Sequence, residues 1–444
     1  MQTFRSRKIN RRQFAAGSAV FATVAVMPGI RVAAQDASPA ASPATIAILN
    51  DGTPESDLEV FSWWTGPGEH DGLVKLYEAF IGLFPDVQIT DAAVAGGAGS
   101  NAKAALSTRL EGGDPPDSWQ SHAGKELQEL YQGPGYAEPL TDIWNAMGLD
   151  DAIPQGLNDQ VTVDGEKYLI PVGVHMGNVL FANKQVATDN GLEWSDTLTS
   201  DDFLAMADTL KEAGIPAIAL GSKDSFAAVQ LFENILMGQL GGDAYNGLWD
   251  GSTDWGGDDI TAAIETFAKY LDYVNDDHSS LTWDGAMDLV LNGTAFATSM
   301  GDWAYGAAVS KEKTDVLAWA AHPDTDGLYV SVMDGFTLPK DAPHPVNAEN
   351  WLGVVGSAEA QATFAPYKGC IPARTDADTS GLSDYGQWSA SQFGSAQVVA
   401  SIAHGAAAAP GQVLDITDAI TSFLVDKDVA ALQDALSMAA EDAQ

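Results

Sequence analysis

From residue 57 onward, apolar positions follow two rhythms that take turns along the chain. Short β-type runs such as Leu58-Glu59-Val60-Phe61 and Val87-Gln88-Ile89-Thr90 give way to stretches whose apolar residues recur every three or four positions. The first of these carries Leu73, Leu76, Tyr77 and Phe80 and predicts a helix starting near Gly72. Further helices are expected over 102–110, 200–213, 225–240, 259–274 and 348–355, and the tail from 416 to 440 reads as one amphipathic helix. Strands are expected over 166–174 with His175 at the end, 215–220 as a buried run, 295–303 ending in the pair Asp302-Trp303, and 328–338. No repeat with a period of 20–50 residues is present. Alternation of this kind predicts an α/β fold. The number of strands exceeds what one sheet holds comfortably, so two lobes with a cleft between them are expected.

Several strands end in polar or aromatic groups, and in open α/β sheets ligands sit outside the carboxyl ends of strands. The first strand runs into Ser62-Trp63-Trp64-Thr65-Gly66-Pro67-Gly68-Glu69. Neighbouring residues on a strand point to opposite faces, so two adjacent Trp are both core only if the sheet is covered on both sides. The pair is either packing material or a stacking platform for a flat, partly apolar ligand such as a pyranose ring.

The first 34 residues change the picture of the N-terminus. They hold Arg5, Arg7, Lys8, Arg11, Arg12 and Arg31, no acidic residue, and an apolar run from Ala15 to Met27. That run is too short for a membrane anchor, and Val32-Ala33-Ala34 fits a small-residue cleavage site before Gln35. Arg11-Arg12 followed by Gln13-Phe14 matches the twin-arginine pattern, the alternative being a general secretory signal with a chance Arg pair. Residues 1–34 are therefore read as an export signal, and 35–56, opening with an Ala/Ser/Pro run, as a linker. The expected location is outside the cytoplasm: periplasmic, or extracellular and associated with the cell envelope.

Charge narrows the partners. The chain of 444 residues carries 21 basic against 61 acidic side chains, and 15 against 61 once the first 34 residues are set aside. Such a surface repels nucleic acid and anionic membranes, and it disfavours a free anionic ligand unless a basic pocket opposes it. The single cysteine, Cys370, excludes an internal disulfide and gives no redox or zinc framework.

Candidate chemistry then gathers in four polar sets beside the Trp pair. They are Gln120 with His122, Asp302 with Trp303, Lys368 in Tyr367-Lys368-Gly369-Cys370, and His404 in Ala403-His404-Gly405. Aromatic planes bury the C–H faces of a sugar, while Gln, His, Asp and Lys satisfy hydroxyls that would otherwise be desolvated without partners. A glycosidase using Glu69 and Asp302 as its carboxylate pair is the competing reading. No Gly-x-Ser-x-Gly elbow or His-Glu-x-x-His helix is present, and Gly96-Gly97-Ala98-Gly99 lacks the Gly-Lys-Ser/Thr that closes a phosphate loop. Asp376-x-Asp378-x-Ser380-Gly381 opens like a calcium loop, but Gln387 stands where a bidentate Glu is needed. It is read as a solvated acidic loop, and neither metal nor cofactor is expected.

Together these short motifs resemble a known family. Phe61-Ser62-Trp63-Trp64, Gly112-Gly113-Asp114-Pro115-Pro116-Asp117, Gln120-Ser121-His122-Ala123-Gly124, Met300-Gly301-Asp302-Trp303-Ala304, Lys368-Gly369 and His404-Gly405-Ala406 occur in the order found in extracytoplasmic solute-binding proteins of carbohydrate ABC importers, in particular the glucose/mannose-binding group. The resemblance runs from about Leu58 to the C-terminus. It implies a two-lobed periplasmic-binding-protein fold of class II type, with an interlobe cleft that closes by hinge motion. It also implies three crossings between lobes, near Val172, Val332 and Lys368, giving lobe 1 as 57–171 plus 333–366 and lobe 2 as 172–332 plus 367–444. Carried over by motif, Trp63, Trp64, Glu69, Gln120 and His122 would meet a monosaccharide, glucose or a close epimer, from the first lobe. Asp302, Lys368 and His404 would complete the polar shell, and Trp303, Trp249 and Trp283 an opposing aromatic wall. The implied activity is capture and delivery to membrane permease subunits by a monomer, with no catalysis.

Overall fold

The computed structural model describes residues 7–9 and 46–443. A three-residue strand, β1 (Arg7–Ile9), pairs antiparallel along one edge of the main sheet. The rest of the expected export signal, including Arg11-Arg12, the apolar run and the cleavage site, lies outside the described residues, as does the Ala/Ser/Pro run.

The chain then builds β2 (Asp57–Phe61), β3 (Gln88–Asp91), β4 (Ser118–His122), the small hairpin β5 (Thr162–Val163) and β6 (Glu166–Lys167), and β7 (Ile170–Met176). After these come β8 (Val179–Asn183), β9 (Ala297–Met300), β10 (Leu317–Ala321), β11 (Leu328–Thr337), β12 (Ile371–Pro372) and β13 (Gln397–Ala400). The large sheet has the order β1-β3-β2-β4-β11-β7-β12, with β13 beside the first half of β11. Within it β2 is parallel to β3 and β4, whereas β11 is antiparallel to β4 and β7. A second sheet has the order β10-β8-β9. The architecture is thus α/β with two sheets, and the fold is two-lobed.

Two short connections join the sheets, one after β7 and one before β11. β7 lies wholly in the large sheet and β8 in the small one, with only Gly177 and Asn178 between them. Asn178 pins this crossing to the return path, because its Oδ1 accepts from Val330 N at 2.9 Å and its Nδ2 donates to Leu328 O at 3.0 Å. Every residue of β7 is buried, as is all of β11 after Leu328, which is the pattern of strands covered on both faces. Those two strands also carry His175 and Asp334 into the middle of the molecule.

The helix after β2 forms at Glu69–Leu83 and buries Gly72, Leu73, Leu76, Tyr77 and Phe80, the stripe its 3.6-residue period predicts. Gly72 lets it approach the helix Ala358–Lys368, since a Cβ there would lie 3.0 Å from the Phe364 ring. Beneath these helices sit Trp64, Trp351, Phe336 and Phe364, with the Trp64 ring 5.3 Å from Phe364 and 5.7 Å from Phe336.

Three expectations need correction. The run 215–220 is buried and extended but is not a continuous strand: Ile218 bridges to Val274 on one side and to Ala297 on the other, at the edge of β9 that β8 leaves open. The C-terminal tail is two helices, Pro410–Asp426 and Val429–Asp442, broken where Lys427 takes φ 51° and Asp428 caps the second helix by accepting from Ala431 N. The part of the expected linker from Ile46 onward is laid against the helix Pro345–Val355. Asn350 Oδ1 accepts from the backbone N–H of Leu49 and Asn50, and the Glu55 carboxylate accepts from Val346 N and Asn347 N at that helix's N-terminus.

Candidate functional site

A cleft of about 210 Å³ opens where the ends of β2 and β4 and the middle of β11 face the N-termini of second-sheet helices. Its first wall is Trp63. The alternation of β2 continues through residues 62–64, so Trp63 faces the cleft while Trp64 is driven to the other face and is fully buried. A Cβ at Gly99 would lie 3.3 Å from the Trp63 ring, Lys103 Nζ stands 5.3 Å from its centroid, and His122 meets it edge-on at 4.9 Å. The opposing wall is Trp303, at the start of the helix Trp303–Ser310, together with Trp283 and Phe226. His404 lies between the walls, with ring centroids 5.0 Å from Trp303 and 5.2 Å from both His122 and Phe226.

The polar floor is a connected network. Gln120 Oε1 accepts from the Trp63 backbone N–H at 3.2 Å, and its Nε2 donates to Asp334 Oδ1 at 3.0 Å, so Gln120 orients the tryptophan and the carboxylate at once. Asp334 lies 3.2 Å from His175 Nε2 and 3.6 Å from His122 Nε2. The other nitrogen of His175 bonds Asp302, whose second oxygen accepts from Met176 N at 3.0 Å. His122 is held from below by Glu126, at 3.1 Å from Nδ1, and Glu126 is paired with Lys103 at 2.5 Å. Lys368 Nζ donates to Glu69 Oε1 at 2.9 Å and stands over the Trp64 ring at 5.2 Å.

Electrostatics favour the charged forms of Lys368, His175, Asp334 and Glu126 despite burial. Burial works against the Lys368 ammonium, but Glu69 and Asp334 outweigh it and raise its pKa. Burial likewise opposes protonation of His175, yet the Asp302 charge carries its pKa upward, against the push of Lys368. Burial would raise Asp334; the His175 bond and the charges of His122, His175 and Lys368 instead hold it well below the usual carboxylate range. Glu126 resists burial in the same way and falls to about 2 beside Lys103 and His122. For Asp302 burial dominates and the shift is upward. The result is a floor of alternating charge whose outward-facing members can bond hydroxyl groups in either sense.

Of the residues singled out from sequence, Trp63, Glu69, His122, Trp283, Trp303, Lys368 and His404 line this cleft. Trp64, Gln120 and Asp302 stand behind it: Trp64 fills the core, Gln120 bonds Trp63 and Asp334, and Asp302 is fully buried against His175. Trp249 is elsewhere, packed edge-on to Tyr245 and Trp255 at the end of the long helix Phe226–Asp250. The sequence reading did not place Asp334, His175, Glu126, Asp224 or Asp284 at a site. A charged residue in the middle of the apolar run 328–338 was the available signal for Asp334, and the i,i+4 spacing from His122 was the signal for Glu126.

Beside the cleft, a second chamber of about 290 Å³ shares Gly97, Ala98, Asp224, Phe226 and His404 with it and continues toward Leu130, Val413 and Leu414. Among the described residues no group of His, Cys, Asp and Glu is arranged to hold a metal ion, and no helix is long and apolar enough to cross a membrane.

Residues 66–362 match the family model of the bacterial extracellular solute-binding proteins. An uncharacterized ABC transporter extracellular-binding protein of Pyrococcus horikoshii is 35% identical over 84% of this chain and 85% of its own length. A xylose/arabinose-binding protein of Haloferax volcanii is 28% identical over 80% of this chain and 78% of that protein. Among solved structures, a bacterial solute receptor described as exclusive for β-D-galactopyranose superposes with a TM-score of 0.77, at 20% identity, over 87% of this chain and 97% of its own. A chitin oligosaccharide binding protein gives 0.76 at 19% identity, over 87% and 98%. Structural likeness at such identities shows the fold.

Proposed function

We propose, from the premise that this chain belongs to the bacterial extracellular solute-binding proteins, that it captures a neutral pyranose, glucose or a close epimer, and passes it to the permease of an ABC importer. Proteins of this kind deliver sugar to membrane permease components. The single observation that carries the sugar reading is the cleft itself: Trp63 faces Trp303 and Trp283 across a space floored by His122, Asp334, Lys368 and His404. Aromatic faces take the C–H surface of a ring, and the alternating charges below take its hydroxyls as donors or acceptors. A basic group inside the cleft, Lys368, is already paired with Glu69, so no unopposed cation is offered to an anionic ligand.

Closure is assigned to two lobes, 57–171 with 333–366 and 172–332 with 367–444. The flexing segments are the chain near Val172, β11 near Val332 and the chain at Lys368-Gly369. Protein and ligand form a one-to-one complex, and the receptor acts as a monomer. No catalysis is proposed. Asp302 has both oxygens engaged by His175 and Met176 and no surface exposed, so it does not reach a glycosidic bond, and Glu69 without it does not make a glycosidase's carboxylate pair.

The adjoining chamber favours a second reading, in which the ligand extends beyond one ring and its distal part lies against Phe226, Val413 and Leu414. Thermal unfolding with a sugar panel separates the two. A ligand at a hundred times its Kd adds about 2.7 kcal/mol to the folded state. The monosaccharide reading predicts the largest rise in Tm with glucose, mannose or galactose. A rise only with disaccharides or longer chains supports the extended site, and no rise with any sugar overturns both.

A further inference from the structure

We propose that Glu233, acting through Ser401, sets whether His404 offers the ligand a hydrogen-bond acceptor or a donor. The proposal rests on the cleft being the ligand site, because His404 lines it.

Glu233 sits fully buried in the helix Phe226–Asp250, one layer behind the cleft, and no ion pair joins it to a cation among the described residues. Its Oε1 accepts from Tyr245 Oη at 2.7 Å and from Ile402 N at 2.6 Å. Its Oε2 is 3.0 Å from Ser401 Oγ, and the same Oγ is 2.8 Å from His404 Nδ1. The segment 401–404 is held in this geometry by its own turn, with Gly405 N donating to Ile402 O and Ala406 N to Ser401 O.

Ser401 has one hydroxyl proton and two partners that can accept it. When Glu233 is ionised, the proton points to Oε2, and Oγ must accept from His404. His404 is then protonated on Nδ1, and its Nε2 is a bare acceptor for the ligand. When Glu233 is protonated, its own O–H donates to Oγ, and the Ser401 hydroxyl turns to His404 Nδ1. The imidazole then carries its proton on Nε2 and donates to the ligand. The protons balance along the chain: one enters from cleft water onto Nε2, the Nδ1 proton moves to Oγ, and the Ser401 proton moves to Oε2. His404 is neutral in both states, and the net change is one proton gained by Glu233.

The charges around both ends support this division of labour. Burial holds His404 well below the ordinary imidazole range, helped by His122 on β4, Lys103 on the helix Ser100–Glu111 and His175 on β7, and opposed by Asp334 on β11. Burial pushes Glu233 up to about 7 against the bonds from Tyr245, the Ile402 backbone, Ser401 and the Ala403 backbone. The carboxyl, and not the imidazole, therefore titrates near neutrality. Glu233 is a positioning residue, since it touches only groups behind the cleft.

The test is ¹⁵N NMR of histidine-labelled full chain between pH 5.5 and 8.5, with His404 assigned from the spectrum of His404→Asn. The expected result is inversion of the His404 tautomer across that range without ligand. Glu233→Gln should fix the Nε2–H tautomer at every pH, because the amide donates to Ser401 as the protonated acid does. Ser401→Ala should make the tautomer independent of pH. With sugar present, wild-type affinity should change by up to about tenfold across the range, the size of one gained or lost hydrogen bond, and the Glu233→Gln profile should be flat. A single His404 tautomer throughout in the wild type, or an inversion that survives Ser401→Ala, overturns the proposal. An inversion as described with no sugar bound at any pH would sustain the relay while removing the sugar reading.

Discussion

A side chain that lines the cleft and one that fills the core respond differently to truncation, and Trp63 and Trp64 allow both to be measured on neighbouring residues. Trp64 is fully buried against Phe336 and Phe364, so Trp64→Ala leaves a cavity and should cost about 3–5 kcal/mol in urea unfolding. Trp63→Ala should cost clearly less; equal losses would contradict the assignment of the two faces. Two carboxyls give the pH dependence its sign. Glu126 falls to about 2 in the folded state, so its stabilisation is present above the ordinary value of 4.5 and is lost as pH falls through about 2. Glu233 rises to about 7, so its contribution is complete below 4.5 and is lost as pH rises through about 7. Each shift corresponds to roughly 3 kcal/mol. Urea unfolding across pH should show an acid limb flattened by Glu126→Gln and a neutral limb flattened by Glu233→Gln; unchanged limbs would contradict these environments. At this scale the sequence disclosed which residue types meet at the cleft, because Trp63 and His122 stand at strand ends, Trp303 opens a helix, Lys368 closes one and His404 sits in a turn. It did not disclose layering. Gln120 and Asp302 act from behind, through Trp63, Asp334 and His175, and only tertiary pairing of β4, β7 and β11 brings those partners together.

At the scale of elements, the approach between the helix Trp303–Ser310 and its surroundings depends on glycine. Gly369 takes φ +90°, and a Cβ there would lie 2.2 Å from Asp302 O; at Gly68 it would lie 2.4 Å from the Gly306 carbonyl carbon. Both sites require a left-handed backbone and no side chain. Gly369→Ala should therefore destabilise by more than about 1 kcal/mol and displace Asp302 and Lys368, read as lower stability in urea. A neutral outcome would mean that this contact relaxes freely. The helix Glu69–Leu83 and the strands β2 and β11 were legible because their apolar positions run clearly over several turns or pleats. The run 215–220 was not, since an apolar stretch of that length looks the same whether it pairs fully or bridges at Ile218 alone. The packing of residues 46–56 was hidden for another reason: it rests on Asn350, Asn347 and Glu55 bonding backbone groups, which leaves no hydrophobic pattern.

The whole molecule carries a formal net charge of −40, and self-repulsion of that size works against the compact state. Raising salt from about 0.1 M to about 1 M shortens the screening length from roughly 10 Å to roughly 3 Å. The Tm in sodium chloride should rise over that range, whereas a fall would mean that attractive surface pairs outweigh the repulsion. Around this acidic exterior the family fold places one aromatic-walled cleft between two sheets joined after β7 and before β11, and sugar capture there is the central claim. Isothermal titration of D-glucose into sugar-free protein, beside the Trp63→Ala variant, tests it most directly. The account predicts one-to-one binding by the wild type and at least tenfold weaker binding by a variant that unfolds cooperatively. Equal affinities in the two proteins, or no heat from folded wild type with glucose, mannose or galactose, would contradict it.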